Sequence, residues 1–490
     1  MTGSLLARTA RGAGWVMAWR LGMRVLGLTS TLVLVRLLVP ADFGLIALAT
    51  GFVQSVDGLM SLGTDEAVIR EAAPTRSVYD TAFTMNALRG LVASAIVVVA
   101  AFPAAGFFGE ARLGPVLLVV ALLPLLDGLS NIGAVDFRRN MTFHKEFALM
   151  VLPKLCGILA AIAAAFLLKS YAAMLCGMIV NRSMRMAMTY VMHPFRPRFG
   201  LRAWRTLVGY SVWTWLLSLV ALLRDRSDSL ILGRIGGASV LGFYSLGAEI
   251  AALPMTELIE PLGRSAFSGF AAGRHAGAAL GDTFLRLIGF CALPALPIGM
   301  GLSLVAAPLA RLALGPGWES AVPVLQVLGV AGTMLVFGHL SQHLLSAYAQ
   351  LKPLVGITLG GAALRVALLL ALVPAYGATG AAIAAALAIV AEQGTILATA
   401  MRRFGIGPGA LAEQIWRPAL ATAAMVAVLW GTGLGWVPTT AGNGLGPLAS
   451  GIGVGAIVFA SALLSLWLAA GRPAGAEADV LAAIRKIGGR

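Results

Sequence analysis

The chain has 490 residues, of which 59% are hydrophobic and 12% charged, with a mean hydropathy of +0.88. A water-soluble domain carries about a quarter charged residues, so this composition excludes large soluble domains and makes lipid the solvent of most of the surface. The formal charge of +15 would suggest nucleic acid on a soluble protein, but its distribution along the chain assigns it to membrane topology, and no nucleic-acid partner is expected.

Apolar windows of about 19 residues, the length that crosses a bilayer, predict an all-α integral membrane protein with fourteen spans. The first six lie at 13–38, 41–63, 81–102, 113–135, 148–168 and 172–192. Eight more follow at 207–232, 239–262, 283–307, 321–345, 353–373, 379–400, 418–437 and 448–469. The first stretch is preceded by Arg8 and Arg11 and interrupted by Arg20 and Arg24, which reads as a retained helix and not a cleaved signal. An even number of spans puts both termini on one side. The loops and ends of that side carry twenty-one Lys and Arg against five opposite, which makes both termini cytoplasmic. Trp204, Trp318, Trp416 and Trp436 fall at span borders, where they either form an interfacial belt or pack between helices. The tail from Ala476 to Ile487 is either a short amphipathic helix or disordered.

Arg36 and Gly44, at the junction of the first two spans, recur as Arg234 and Gly242 at the junction of the seventh and eighth, 198 residues later. This suggests two parallel six-helix lobes with a pseudo-two-fold relation around a central cavity, as in an alternating-access carrier. The expected organisation is an N-lobe at 1–192, a cytoplasmic connection at 193–206 and a C-lobe at 207–400. Two added helices follow at 401–469, and a cytoplasmic tail at 470–490.

Motifs for other chemistries are missing. The sequence holds no phosphate-binding loop ending in Gly-Lys-Ser or Gly-Lys-Thr, no His-Glu-x-x-His and no Gly-x-Ser-x-Gly. Three cysteines inside apolar segments give no disulfide framework. His339 and His343 share a helix face with Gln342 beside them, which reads as packing or a polar helix end. The expectation is a transporter and not an enzyme, with no cofactor or metal.

Ten basic residues fall within the spans: Arg20, Arg24, Arg89, Lys154, Arg182, Arg185, Arg224, Arg226, Arg286 and Arg365. At ~2.5–3.5 kcal/mol each near the bilayer centre, they would together exceed the ~5–15 kcal/mol net stability of a typical protein. They must therefore snorkel, pair or line a wet cavity. The first half sets six of them against Asp57 and Asp127, a surplus of four positive charges. The second half sets four against Asp225, Asp228, Glu249, Glu257, Glu260 and Glu392. Arg20 with Arg24, and Arg182 with Arg185, share helix faces, and paired guanidinium forks suit phosphate oxygens. Glu249, Glu257 and Glu260 share a sector of the eighth helix, close in sequence to Arg224 and Asp228. They form either a packing network of salt bridges or a site that exchanges H+ or Na+.

The segment from Arg36 through Leu37-Leu38-Val39-Pro40-Ala41-Asp42-Phe43 to Gly44 resembles the opening signature of the Wzx-type polysaccharide flippases. These belong to the multidrug/oligosaccharidyl-lipid/polysaccharide exporter superfamily, and the likeness is strongest to its exopolysaccharide, colanic-acid-like branch. The match continues at Asp228 to Gly233, Leu241 to Tyr244, Leu314 to Trp318 with Val322 to Leu325, and Gly377 to Ala382. Asp42, Gly44, Gly242 and Trp318 read as turn, helix-start and anchoring positions.

The resemblance implies a carrier that turns undecaprenyl-diphosphate-linked oligosaccharide repeat units from the cytoplasmic to the periplasmic face of the bacterial inner membrane, for exopolysaccharide or lipopolysaccharide synthesis. Membrane lipids, a coupling ion and the polysaccharide polymerase are the other partners it suggests. With that substrate, the candidates for the diphosphate and glycan cavity are Arg20, Arg24, Arg89, Arg182 and Arg185, where the positive surplus lies, and Arg365. The candidates for ion coupling or lobe salt bridges are Asp228, Glu249, Glu257 and Arg224. The alternatives are a peptidoglycan-precursor flippase, which shares the anion logic, and a multidrug or cation antiporter, which the positive surplus disfavours.

Overall fold

The computed structural model describes residues 22–24, 26–60, 63–71, 74–140, 142–204, 226–256, 280–348, 350–436, 445–473 and 475–478. Among the described residues the regular structure is helical, without strands. The chain forms two compact units, Met1–Gly242 and Phe243–Arg490.

In the first unit, helix α1 (26–37) leads into α2 (Pro40–Leu59), which starts with Pro at its first position after an extended Val39. The short α3 (Thr64–Arg70) follows Gly63, whose left-handed φ of 62° makes the turn. Helix α4 (Arg76–Phe108) has 33 residues and ends on left-handed Gly109. At ~1.5 Å per residue it exceeds the ~30 Å hydrocarbon core, so it projects beyond the bilayer.

The span expected at 113–135 is broken. Helices α5 (Leu113–Val120) and α6 (Leu122–Gly128) end at Leu129, and a 3-10 turn (Ile132–Val135) with α7 (Asp136–Arg139) turns away by 68°. Asn131 caps the new turn by accepting from Gly133 N–H at 3.0 Å, and its own N–H donates to Thr189 at 3.0 Å. Helices α8 (Phe143–Leu168) and α9 (Ala172–Met192) complete the fold up to the connection. Helix α10 (226–235) and the start of α11 (Gly237–Pro254) follow.

The repeated glycines meet. A Cβ on Gly44 would overlap the carbonyl of Ala238, and one on Gly242 would overlap the carbonyl of Pro40. Pro40 and Ala238 are themselves 198 apart, so α2 and α11 cross at a point where each helix offers the same small surface to the other.

The second unit continues with α12 (Leu280–Leu304), α13 (Ala306–Ala313), α14 (Val322–Ala347), α15 (Leu351–Phe404), α16 (Pro408–Gly431) and α17 (Leu445–Ala469). α15 is two spans joined at Gly377, whose φ of 53° and ψ of −129° only glycine adopts without strain. This agrees with the spans expected at 353–373 and 379–400. α16 begins ten residues before its expected start, at Pro408. Among the described residues six helices are long and apolar enough to cross a membrane, and the bent pair makes a seventh.

Trp318 is buried, 1% exposed, edge-on to Phe243 at 5.9 Å. It therefore packs between helices, whereas Trp204, Trp416 and Trp436 remain exposed. Residues 476–478 of the tail are helical.

Candidate functional site

The charged interior of the first unit is built on α4, α6 and α9. Arg89 on α4 donates from Nη1 to Asp57 of α2 at 3.1 Å, and Arg182 on α9 donates to Asp127 of α6 at 3.0 Å. Arg138 on α7 donates from Nε to Glu146 of α8 at 2.7 Å. Asp65, in the first turn of α3, accepts from Asn86 Nδ2 at 3.1 Å, and Thr64 donates to Asn86 Oδ1 at 2.5 Å.

These groups surround a cavity of about 320 Å³. Its lining includes Arg89, Arg138, Arg182 and Arg185 against Asp65, Asp127 and Glu146, with Ser130, Asn131 and Thr189 as neutral hydrogen-bonding groups. Arg185 lies one helical turn from Arg182 and has no carboxylate within 4 Å among the described residues. A 320 Å³ space with a guanidinium outside any close ion pair can take an anion by bidentate hydrogen bonds without first breaking a salt bridge.

At the cavity four arginines face three carboxylates, so the excess positive charge there is small. Asp57 and Asp127 each hold one arginine, while Asp65 and Glu146, carboxylates from outside the expected spans, join the cavity. Short α3 and the start of α8 fold them inward. The signal for Asp65 was Gly63-Thr64-Asp65, a left-handed glycine followed by a helix start.

Outside the cavity lining, His193 follows the last residue of α9. Its Nε2 lies 3.4 Å from Asp136 Oδ2, and its Nδ1 accepts from the Phe195 N–H at 3.2 Å. Tyr79 donates to the other Asp136 oxygen at 2.5 Å. Burial holds the His193 imidazole below its usual range, only partly offset by the Asp136 carboxylate, with Lys145 and Arg196 adding to the lowering. On the opposite side of the unit, in the turn after α4, Arg112 donates to Glu110 at 2.8 Å and 3.0 Å and reaches Asp42 at 3.5 Å. The Arg112 hydrogen bond holds the Glu110 carboxyl below its usual range.

The other expected site residues are dispersed. Arg24 is half-buried just before α1. Asp228 is buried on α10, 7% exposed, and Glu249 is exposed on α11. In the second unit, Arg365 donates to Tyr244 Oη at 3.3 Å. Arg20, Arg224 and Glu257 lie outside the described residues. Of the six arginines assigned to the anion, the structure brings Arg89, Arg182 and Arg185 to one cavity.

Known proteins agree with the sequence motifs. The lipopolysaccharide biosynthesis protein WzxC of Escherichia coli K12 is 27% identical over 361 residues, covering 71% of each chain. The fold is similar to a structure titled lipid II flippase MurJ in an inward closed conformation. That match has a TM-score of 0.73 and 13% identity, over 93% of this chain and 100% of that one. A multidrug resistance MATE family transporter in an inward-facing conformation matches with a TM-score of 0.61 and 15% identity, over 78% of this chain and 94% of that one. The family model described as polysaccharide biosynthesis protein matches residues 33–323, more than half the chain. The chain, a multi-pass membrane transporter, therefore belongs to this polysaccharide biosynthesis family of Wzx-type flippases.

Proposed function

We propose that the protein carries undecaprenyl-diphosphate-linked oligosaccharide repeat units from the cytoplasmic to the periplasmic face of the inner membrane by alternating access. In this reading both termini are cytoplasmic, and the two six-helix lobes are followed by two added helices. The observation that carries it is Arg185, a guanidinium without a close carboxylate among the described residues, facing a polar cavity. Arg182 and Arg89, clamped by Asp127 and Asp57, are positioning residues that hold α4, α6 and α9 around that space. Arg185 makes the charge-assisted contact with the diphosphate, and Asn86 and Ser130 offer hydrogen-bonding groups to the sugar nearest it. Such contacts bind reversibly in a wet cavity, as a carrier requires.

The test replaces Arg185 with Gln and with Lys in a strain lacking the gene. Polymer secretion and binding of undecaprenyl diphosphate to the purified protein are the readouts. Loss of a charged hydrogen bond of ~1.5–3 kcal/mol predicts a roughly 10- to 100-fold loss of affinity for Gln and partial retention for Lys. Undiminished binding and secretion by Arg185→Gln at normal protein level would overturn the assignment.

A further inference from the structure

Residues 193–204 form an extended strap pinned along the first turns of α4. The Arg198 N–H donates to Asp80 Oδ1 at 2.8 Å, the Gly200 N–H to Thr84 Oγ1 at 2.9 Å, and the Ala203 N–H to Thr81 Oγ1 at 3.1 Å. Phe195 packs on Tyr79 and Phe199 on Phe83, with ring centroids 5.3 Å and 5.5 Å apart.

The face of α4 that receives the strap identifies its surroundings. Asp80 and Thr84 are one turn apart, and the same helix stripe continues through Leu88 and Leu91, which are 54% and 55% exposed. Exposed leucines in the apolar body of a membrane-spanning helix face acyl chains. The strap therefore crosses the point where the lipid-facing stripe of α4 leaves the hydrocarbon.

What the strap turns outward has two chemistries. Arg198 and Arg202 are exposed and have no carboxylate within 4 Å among the described residues, the one nearby carboxylate, Asp80, being engaged by backbone and by Arg76. Phe199, Leu201 and Trp204 are exposed beside them. Arginines next to large apolar and aromatic side chains, held in a fixed backbone at headgroup depth, match a phosphate above an acyl chain.

We infer that the 195–204 strap is a binding site for anionic phospholipid of the inner leaflet. Arg198 and Arg202 hold the headgroup phosphate, and Phe199, Leu201 and Trp204 enter the upper acyl region. The site is separate from the Arg185 cavity, and it anchors the connection between the two halves of the sequence to the bilayer.

Native mass spectrometry of the full chain released from bilayers of equal phosphatidylglycerol and phosphatidylcholine tests this. Wild-type protein is expected to retain phosphatidylglycerol at least threefold over phosphatidylcholine. The double variant Arg198→Gln, Arg202→Gln should lose that preference, and the pair Arg402→Gln, Arg403→Gln at another exposed inner border should keep it. Arg185→Gln should also keep it, which separates this site from the transport cavity. No preference in wild type overturns the proposal whether or not the double variant folds, and so does an unchanged preference in a folded double variant.

Discussion

The cavity of the first unit and the core of the second are lined by opposite chemistries. In the first, arginines and carboxylates from α2, α4, α6 and α9 meet around open space, and each closely paired group remains about a fifth to a third exposed. In the second, helices α12, α14 and α15 close on an apolar core containing Phe284, Ile288, Cys291, Val336 and Leu340, all 0% exposed. The proposed cargo, charged and hydrated, would need water-compatible walls in one place and rigidity in another, and the two features fall on different units. The first unit also has apolar clusters, around Ala165 and around Val68 and Ala82, so the contrast lies in its cavity walls, held by pairings that water can loosen, against a second-unit core held by packing that it cannot.

One ion pair breaks this pattern, and it carries the largest expected effect. In the second unit Arg417 of α16 donates to Glu477 of the tail at 2.7 Å and 3.2 Å, and both side chains are under 10% exposed. Removing one partner strands a buried charge, which costs about 3–5 kcal/mol. Glu477→Gln should therefore lower the thermal unfolding midpoint sharply, whereas replacing both residues by Met should recover most of the loss. If the single variant melts like wild type, the second unit tolerates unpaired charge and its contrast with the first disappears.

Next in size is truncation of the apolar core. Leu340→Ala leaves a cavity among residues that cannot collapse freely, at about 2–5 kcal/mol. Asp127→Asn in the first unit should cost less, about 1 kcal/mol, because solvent reaches both Asp127 and Arg182 and screens the charge left behind. Its larger effect falls on function. Arg182 is freed to hold anion beside Arg185, so undecaprenyl diphosphate should bind more tightly while secretion falls, since release slows. Equal destabilisation by Leu340→Ala and Asp127→Asn in differential scanning calorimetry would make the two interiors alike.

Much of this contrast was legible in the sequence. The span predicted at 172–192 is the helix Ala172–Met192, and the three-residue spacing of Arg182 and Arg185 put both on the cavity face. The motif glycines have backbone reasons visible in their surroundings: Gly315 and Gly317 have φ of 85° and 86°, and Gly377 turns between two spans. What hydropathy averaging hid were the short polar pieces. The break around Asn131 lay inside an apolar window, α3 was too short to register, and Glu413, Gln414 and Arg417 masked the start of α16 that Pro408 marks. Consequently Asp65 and Glu146 fall outside the expected spans and are not counted among the intramembrane charges, although both line the cavity.

The smallest effect sits at His193, just after α9 of the charged unit. The His193 ring is held as a neutral tautomer: Nδ1 accepts the Phe195 N–H, and Nε2 faces Asp136. Burial places its folded pKa below the usual imidazole range, so the folded state disfavours the proton. Stability from this contact is complete above the unfolded pKa and is lost as pH falls through the lower folded value. Protonating Nδ1 also removes the acceptor of Phe195, which loosens the start of the strap. Between pH 7 and pH 5, wild-type protein should lose slightly more thermal stability than His193→Gln, and amide exchange at Phe195, corrected for its intrinsic pH dependence, should rise only in wild type. Parallel losses in the two proteins would mean that the Asp136 carboxylate offsets burial and that this contact is insensitive to pH.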